Sequence, residues 1–189
     1  MKVAILVGSL RAESFNLQLA RALARMGPQD WVYQHIAIGD LPLYNQDHDA
    51  APPEQARRLK QEIEAADALL FVTPEYNRSI PGVLKNAIDT ASRPYGKNSF
   101  AGKPAGVIGT SIGAIGTAMA QQHLRNVLAY LDVPTLNQPE AFVHYREGLI
   151  TQAGDVTDDK TRAFLQHWMD AYRAFVDVHG GAKQAASRA

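Results

Sequence analysis

Cysteine is absent from the 189-residue sequence. That single absence excludes disulfides, thiolate catalysis, iron–sulfur clusters and cysteine-based zinc sites. Any redox chemistry must then be carried by a bound cofactor. A surplus of charge is missing too, since 19 Lys and Arg balance 19 Asp and Glu. Without a positive excess there is no broad surface to neutralise phosphates, so nucleic acid is not expected as a partner. Long apolar runs are also lacking. The stretches Val3–Val7 and Ala68–Val72 fall far short of a membrane span, and Arg11 follows the first too closely for a secretory leader. No membrane partner is expected, and the cytoplasm is the expected location. The six histidines are scattered without paired spacing, so a metal site is not expected either.

What is present is an alternation of short apolar runs with segments of helical period, punctuated by Gly, Pro, Ser and Asn. The expected strands are Val3–Val7, Trp31–Ile38, Ala68–Val72, Ala105–Ile108 and a broken or edge strand within Thr135–Tyr145, where Pro139 interrupts. The expected helices are Leu17–Met26, Pro52–Asp67, a helix opened at Pro81 and running to Ala91, Ile115–Leu131, and Asp158–Val178. Residues 180–189 read as a frayed polar tail, which leaves a single domain over residues 1–179. Five strands alternating with helices predict a doubly wound α/β sandwich of three layers. Right-handed crossovers place the loops after the first, third and fourth strands at one sheet edge, where open parallel sheets bind ligands.

Those three loops hold the candidate chemistry. The first, Gly8–Asn16, supplies Ser9, Arg11, Ser14 and Asn16 at the start of a helix. A phosphate there meets free helix-start N–H groups, hydroxyls and a guanidinium together. Its glycine spacing matches neither the dinucleotide fingerprint nor the nucleotide P-loop. Ser14 read alone serves equally well as a helix cap. The second loop, Thr73–Ser79, sets Tyr76 among backbone donors, which suits a flat heterocycle, although Pro74 and Asn77 are also ordinary turn residues.

The third loop runs from Gly109 to Gly116, and residues 109–113 match the G-x-S-x-G nucleophile elbow. A serine hydrolase would use Ser111 with Asp132 and His144, or with Asp155 and His167. No HGGG-type oxyanion segment accompanies it, and the first loop would then have no role. On the fourth helix, Leu124, Val127, Leu128 and Leu131 form a stripe that serves as core or as a dimer face.

With these residues assembled, the chain resembles the NAD(P)H-dependent FMN reductase family, and within it the bacterial quinone and chromate reductase branch. The likeness is carried by GSLRAESFN at 8–16, TPEYNRSIPGVLKNAID at 73–89, AGKPAGVIGTSIGAIG at 101–116, HLRNVLAYLDV at 123–133 and NQPEAF at 137–142. It extends over roughly residues 1 to 145 in order and spacing, and TPEYN-x-S-x-PG-x-LKNAID is its most specific part.

The resemblance implies a flavodoxin-like fold with five parallel strands in the order 2-1-3-4-5, and non-covalent FMN at the strand ends. Position by position, it implies that Ser9, Arg11, Ser14, Phe15 and Asn16 wrap the FMN phosphate. Pro74, Glu75, Tyr76 and Asn77 line the isoalloxazine, and Ser111, Ile112 and Gly113 lie beneath it. It also implies a homodimer or homotetramer with the flavin near the interface, to which the stripe on the fourth helix and Arg125, Tyr130 and Glu140 contribute. The implied activity is oxidation of NADPH or NADH, with the hydride passed through FMN to a small-molecule acceptor: a quinone, azo dye, nitroaromatic, chromate or free flavin. No side chain then acts as acid, base or nucleophile. Two rival readings remain at this point, the serine hydrolase and a flavodoxin-like electron carrier without turnover. A carrier of that kind is usually strongly acidic, and this chain is neutral.

Overall fold

The computed structural model describes residues 1–186. Strands β1 (Lys2–Val7), β2 (Val32–His35), β3 (Ala68–Val72), β4 (Ala105–Ser111) and β5 (Phe142–His144) form one parallel sheet in the order β2-β1-β3-β4-β5. Between and after them run α1 (Phe15–Met26), α2 (Glu54–Glu64), α3 (Gly82–Ala91), α4 (Ala118–Tyr130) and α5 (Asp159–Ala186). This is the flavodoxin-like arrangement expected, with helices on both faces. None of these helices is long and apolar enough to cross a membrane.

The side-chain period of a strand divides the interior in two. Val3, Ile5 and Val7 of β1, with Leu70 and Val72 of β3, face a core closed by α1 and α5. Ala4 and Leu6, with Leu69 and Phe71, face a second core closed by α2, α3 and α4. A strand buried on both faces has no use for polar positions, which is why β1 and β3 read as unbroken apolar runs. Trp168 and Tyr172 of α5 stack at 5.6 Å in the first core, and the Tyr172 hydroxyl donates to the Leu69 carbonyl at 2.8 Å. The stripe Leu124, Leu128 and Leu131 is buried in the second core, with Val127 packed against it. It is therefore interior to the chain and is not available as a dimer face.

Several boundaries differ from the sequence reading, each for a local reason. Helix α3 begins at Gly82, with Pro81 as its N-cap rather than its first residue. Helix α4 begins at Ala118 rather than Ile115, because Gly116 takes a φ of 61° and donates to the Gly113 carbonyl in a tight turn. Strand β5 shrinks to three residues, with Thr135 making only an isolated bridge to Ala105 and Pro139 unable to donate to a ladder. Helix α5 is assigned from Asp159 to Ala186. Residues 187–189 lie outside the described residues.

At Gly109 the sheet and its loops meet most closely. A methyl group there would stand 2.0 Å from the Thr73 carbonyl oxygen and 2.4 Å from Thr117 Oγ1. The glycine thus serves the packing of β4 against the loop after β3. Gly109→Ala is expected to lower stability by more than about 3 kcal/mol in urea unfolding, because neither backbone can yield without breaking the ladder.

A second expectation concerns alkaline pH. Burial raises the Tyr33 hydroxyl from 10.0 to about 12, aided by nearby Asp30, and burial pushes Tyr172 up as well. The folded chain therefore keeps phenolic protons that the unfolded chain has shed. Stability is expected to hold up to pH 10 and to fall as pH rises toward 12, read as the urea midpoint against pH. Tyr33→Phe should make that decline shallower.

Candidate active site

The loops after β1, β3 and β4 converge on one open groove of about 190 Å³. It is lined by Ser9, Arg11, Ser14, Phe15, Asn16, Pro74, Glu75, Tyr76, Thr110, Ser111 and Ile112. A smaller, more enclosed cavity of about 30 Å³ lies between the β2–α2 connection and the C-terminal end of α3, lined in part by Pro42, Tyr44, Pro53 and Arg93. Several of its polar groups are engaged within the chain. The Tyr44 hydroxyl is bonded to Asp49, and Lys60 donates to Ala91, Lys97 and Ser99. The groove at the strand ends holds the convergent donors.

Helix α1 opens onto this groove. Ser14 is its N-cap and accepts the Leu17 N–H at 3.2 Å, while the Gln18 N–H goes to the Ser14 carbonyl. Capping leaves the Ser14 hydroxyl proton free to donate outward. The N–H groups of Phe15 and Asn16 have no acceptor among the described residues. The Arg11 guanidinium lies 4.5 Å from the Phe15 ring centroid and 3.9 Å from Glu13. Two unpaired N–H groups at a helix start beside a guanidinium form an anion site.

Asn16 plays a different part from the one its position suggested. Its side-chain amide donates to the Thr110 carbonyl at 2.9 Å and accepts the Thr110 N–H at 3.0 Å. Both bonds are buried, so the side chain ties α1 to β4 and leaves only its backbone N–H for a ligand. Thr110 is the site residue that the sequence reading missed. Its side chain is 1% exposed, it lines the groove, and its hydroxyl has no partner. An orphaned buried hydroxyl in the groove wall fits a ligand that brings its own polar groups.

In the second loop the Glu75 carboxylate accepts the N–H groups of Met119 and Ala120 at 3.0 and 3.1 Å. Thr117, the N-cap of α4, forms no side-chain cap bond, so Glu75 caps that helix from a distant part of the chain. Asn77 does not line the groove; with a φ of 51° it forms half of a tight turn. Gly113 is exposed in the turn after β4, its N–H donating to Ser111 Oγ at 3.0 Å and its carbonyl accepting from Gly116. Both residues form turns beside the groove.

The Ser111 hydroxyl donates its one proton to the Gly116 carbonyl at 2.8 Å. Strand register sets His144 beside Ser111, yet no imidazole bonds to the hydroxyl among the described residues. Asp155 pairs with Arg25 at 2.9 Å. Neither triad assembles, and the hydrolase reading is overturned. Tyr145, also absent from the expected set, stacks on Phe15 with centroids 3.6 Å apart, and its N–H donates to the Ser111 carbonyl at 2.8 Å. It bridges the first and third loops.

Asn16→Ala would leave the buried N–H and C=O of Thr110 without partners, and is expected to cost about 2–4 kcal/mol of stability. Asn16→Asp keeps an acceptor but loses the donor, so its urea midpoint should fall between those of the native chain and the alanine variant.

Comparison with known proteins agrees with this geometry. The family model for NADPH-dependent FMN reductase matches residues 1–148. A 2-hydroxy-1,4-benzoquinone reductase of Burkholderia sp is 56% identical over 176 residues, covering 93% of this chain and 96% of the relative. A quinone reductase of Pseudomonas putida is 48% identical over 178 residues, covering 94% and 95%. Among solved structures, the flavoenzyme NAD(P)H:(acceptor) oxidoreductase FerB of Paracoccus denitrificans superimposes with a TM-score of 0.90 at 47% identity, over 94% of this chain and 98% of that one. The chain belongs to the NADPH-dependent FMN reductase family.

Proposed function

We propose that this protein is an FMN-dependent NAD(P)H oxidoreductase whose acceptors are quinones, with azo dyes, nitroaromatics, chromate and free flavin as related oxidants. The observation that carries the reading is the groove itself, where an anion site at the start of α1 faces a polar and aromatic wall from two other loops. FMN, when bound, supplies the two-electron hydride chemistry that the side chains of a cysteine-free protein do not.

The chain's own residues divide the remaining work. Arg11, Ser9, the Ser14 hydroxyl and the N–H groups of Phe15 and Asn16 hold the phosphate, and Thr110 offers its free hydroxyl beside them. Pro74, Tyr76, Ser111 and Ile112 flank the ring. Glu75 faces the groove while it caps α4, and Asn77 and Gly113 shape the two ring loops. The groove is open, which suits a site that admits donor and acceptor in turn.

A homo-oligomer, dimer or tetramer, is supported by apolar side chains left bare near the groove: Tyr76 (55% exposed), Ile112 (75%) and Ile115 (48%). Arg125, offered by the resemblance as a subunit contact, instead donates to the Leu136 carbonyl within the chain. The cytoplasm, where reduced nicotinamides are held, is the proposed location.

Purified protein incubated with FMN should show a bound yellow chromophore that anaerobic NADPH bleaches and benzoquinone restores. A protein that binds no FMN would sink the reading. Arg11→Ala is expected to weaken FMN about 10- to 150-fold, the range for a hydrogen bond to a charged group. Riboflavin, which lacks the phosphate, should bind both proteins equally.

A further inference from the structure

The hairpin after β3 contains a residue that its backbone does not favour. Tyr76 and Ser79 exchange N–H···O bonds at 2.9 and 3.0 Å around two central residues, Asn77 and Arg78, whose φ angles are 51° and 66°. Two positive φ angles in a two-residue loop define a type I′ turn, whose second position favours glycine. Asn77 is well suited to the first position. Arg78 is not suited to the second, since its Cβ is crowded in the left-handed region. A strained residue held at the edge of a ligand groove points to a use for its side chain.

The charge inventory of the rim narrows that use. Tyr76, two residues before Arg78, lines the groove. Arg78 is exposed and has no ion-pair or hydrogen-bonding partner among the described residues. Arg11 belongs to the phosphate end, against Phe15 and Glu13. The His123 ring is engaged by Ser79 at 2.8 Å. Arg146 and Lys160 lie with Asp158 in a different cleft, next to β5. The hairpin tip therefore presents an uncompensated guanidinium beside the site where a reduced nicotinamide nucleotide must dock. NADPH differs from NADH by one phosphate, and a guanidinium is suited to bind it with two parallel hydrogen bonds.

We propose that Arg78 recognises the 2′-phosphate of NADPH and sets the preference between the two nicotinamide donors. This rests on the oxidoreductase reading above, and the experiment separates the two. Arg78→Gly removes the cation while placing the favoured residue in the turn, so the thermal midpoint should hold or rise and a misfolded variant is not expected. In the FMN-loaded enzyme, the KM for NADPH should rise about tenfold while that for NADH stays within about twofold, the loss of one exposed charged contact.

Binding of 2′,5′-ADP measured by calorimetry should weaken by a similar factor and lose most of its dependence on salt. Arg78→Lys should keep the salt dependence and recover part of the affinity. An unchanged ratio of the two KM values in Arg78→Gly, or equal 2′,5′-ADP affinity in variant and native protein, overturns the proposal alone. A native enzyme that oxidises neither nicotinamide overturns the oxidoreductase reading, and this assignment with it.

Discussion

One buried amide sets the spacing between the first ligand loop and the strand that carries the third. Asn16 bonds both the N–H and the C=O of Thr110, so the start of α1 cannot drift from the end of β4 without exposing two unpaired backbone groups in the interior. The other features of the groove follow from that fixed distance. Ser14 and the unpaired helix-start N–H groups are aimed from one side, and the Thr110 hydroxyl waits on the other. Tyr145 adds an aromatic brace above the same junction through its stack on Phe15.

The groove is shaped largely by side chains and offers much of its hydrogen bonding through the backbone. Asn16, Glu75 and Asn77 look from their types like ligand contacts, yet each holds a segment of chain in place. The donors left open are the N–H groups at the start of α1 and hydroxyls, which suit any ligand of matching charge and shape. This division fits a protein whose chemistry resides in a cofactor, since the polypeptide needs rigidity and local potential more than a reactive group. It also explains why no strongly coupled acid–base pair marks the site.

The fold was legible because its information is local. Unbroken apolar runs at 3–7 and 68–72, bounded by turn residues, admit few arrangements other than central parallel strands. The groove was legible as three loops for the same reason, since topology places them together. The roles of individual residues were not. Glu75 caps a helix 44 positions further along the chain, and Asn16 clasps a strand 94 positions away. Neither partnership leaves a periodic trace. The stripe at Leu124, Leu128 and Leu131 showed one apolar face correctly, but an amphipathic pattern does not state whether its cover is the same chain or a second copy. The nucleophile-elbow match at 109–113 failed because spacing alone carries no hydrogen bonds, and Gly109 is required by the Thr73 carbonyl rather than by a serine's exposure.

Because the Glu75 carboxylate closes the first turn of α4, the loop after β3 and that helix behave as one mechanical part. Sliding the hairpin outward to admit a bulkier guest would uncap the helix and loosen its first turn.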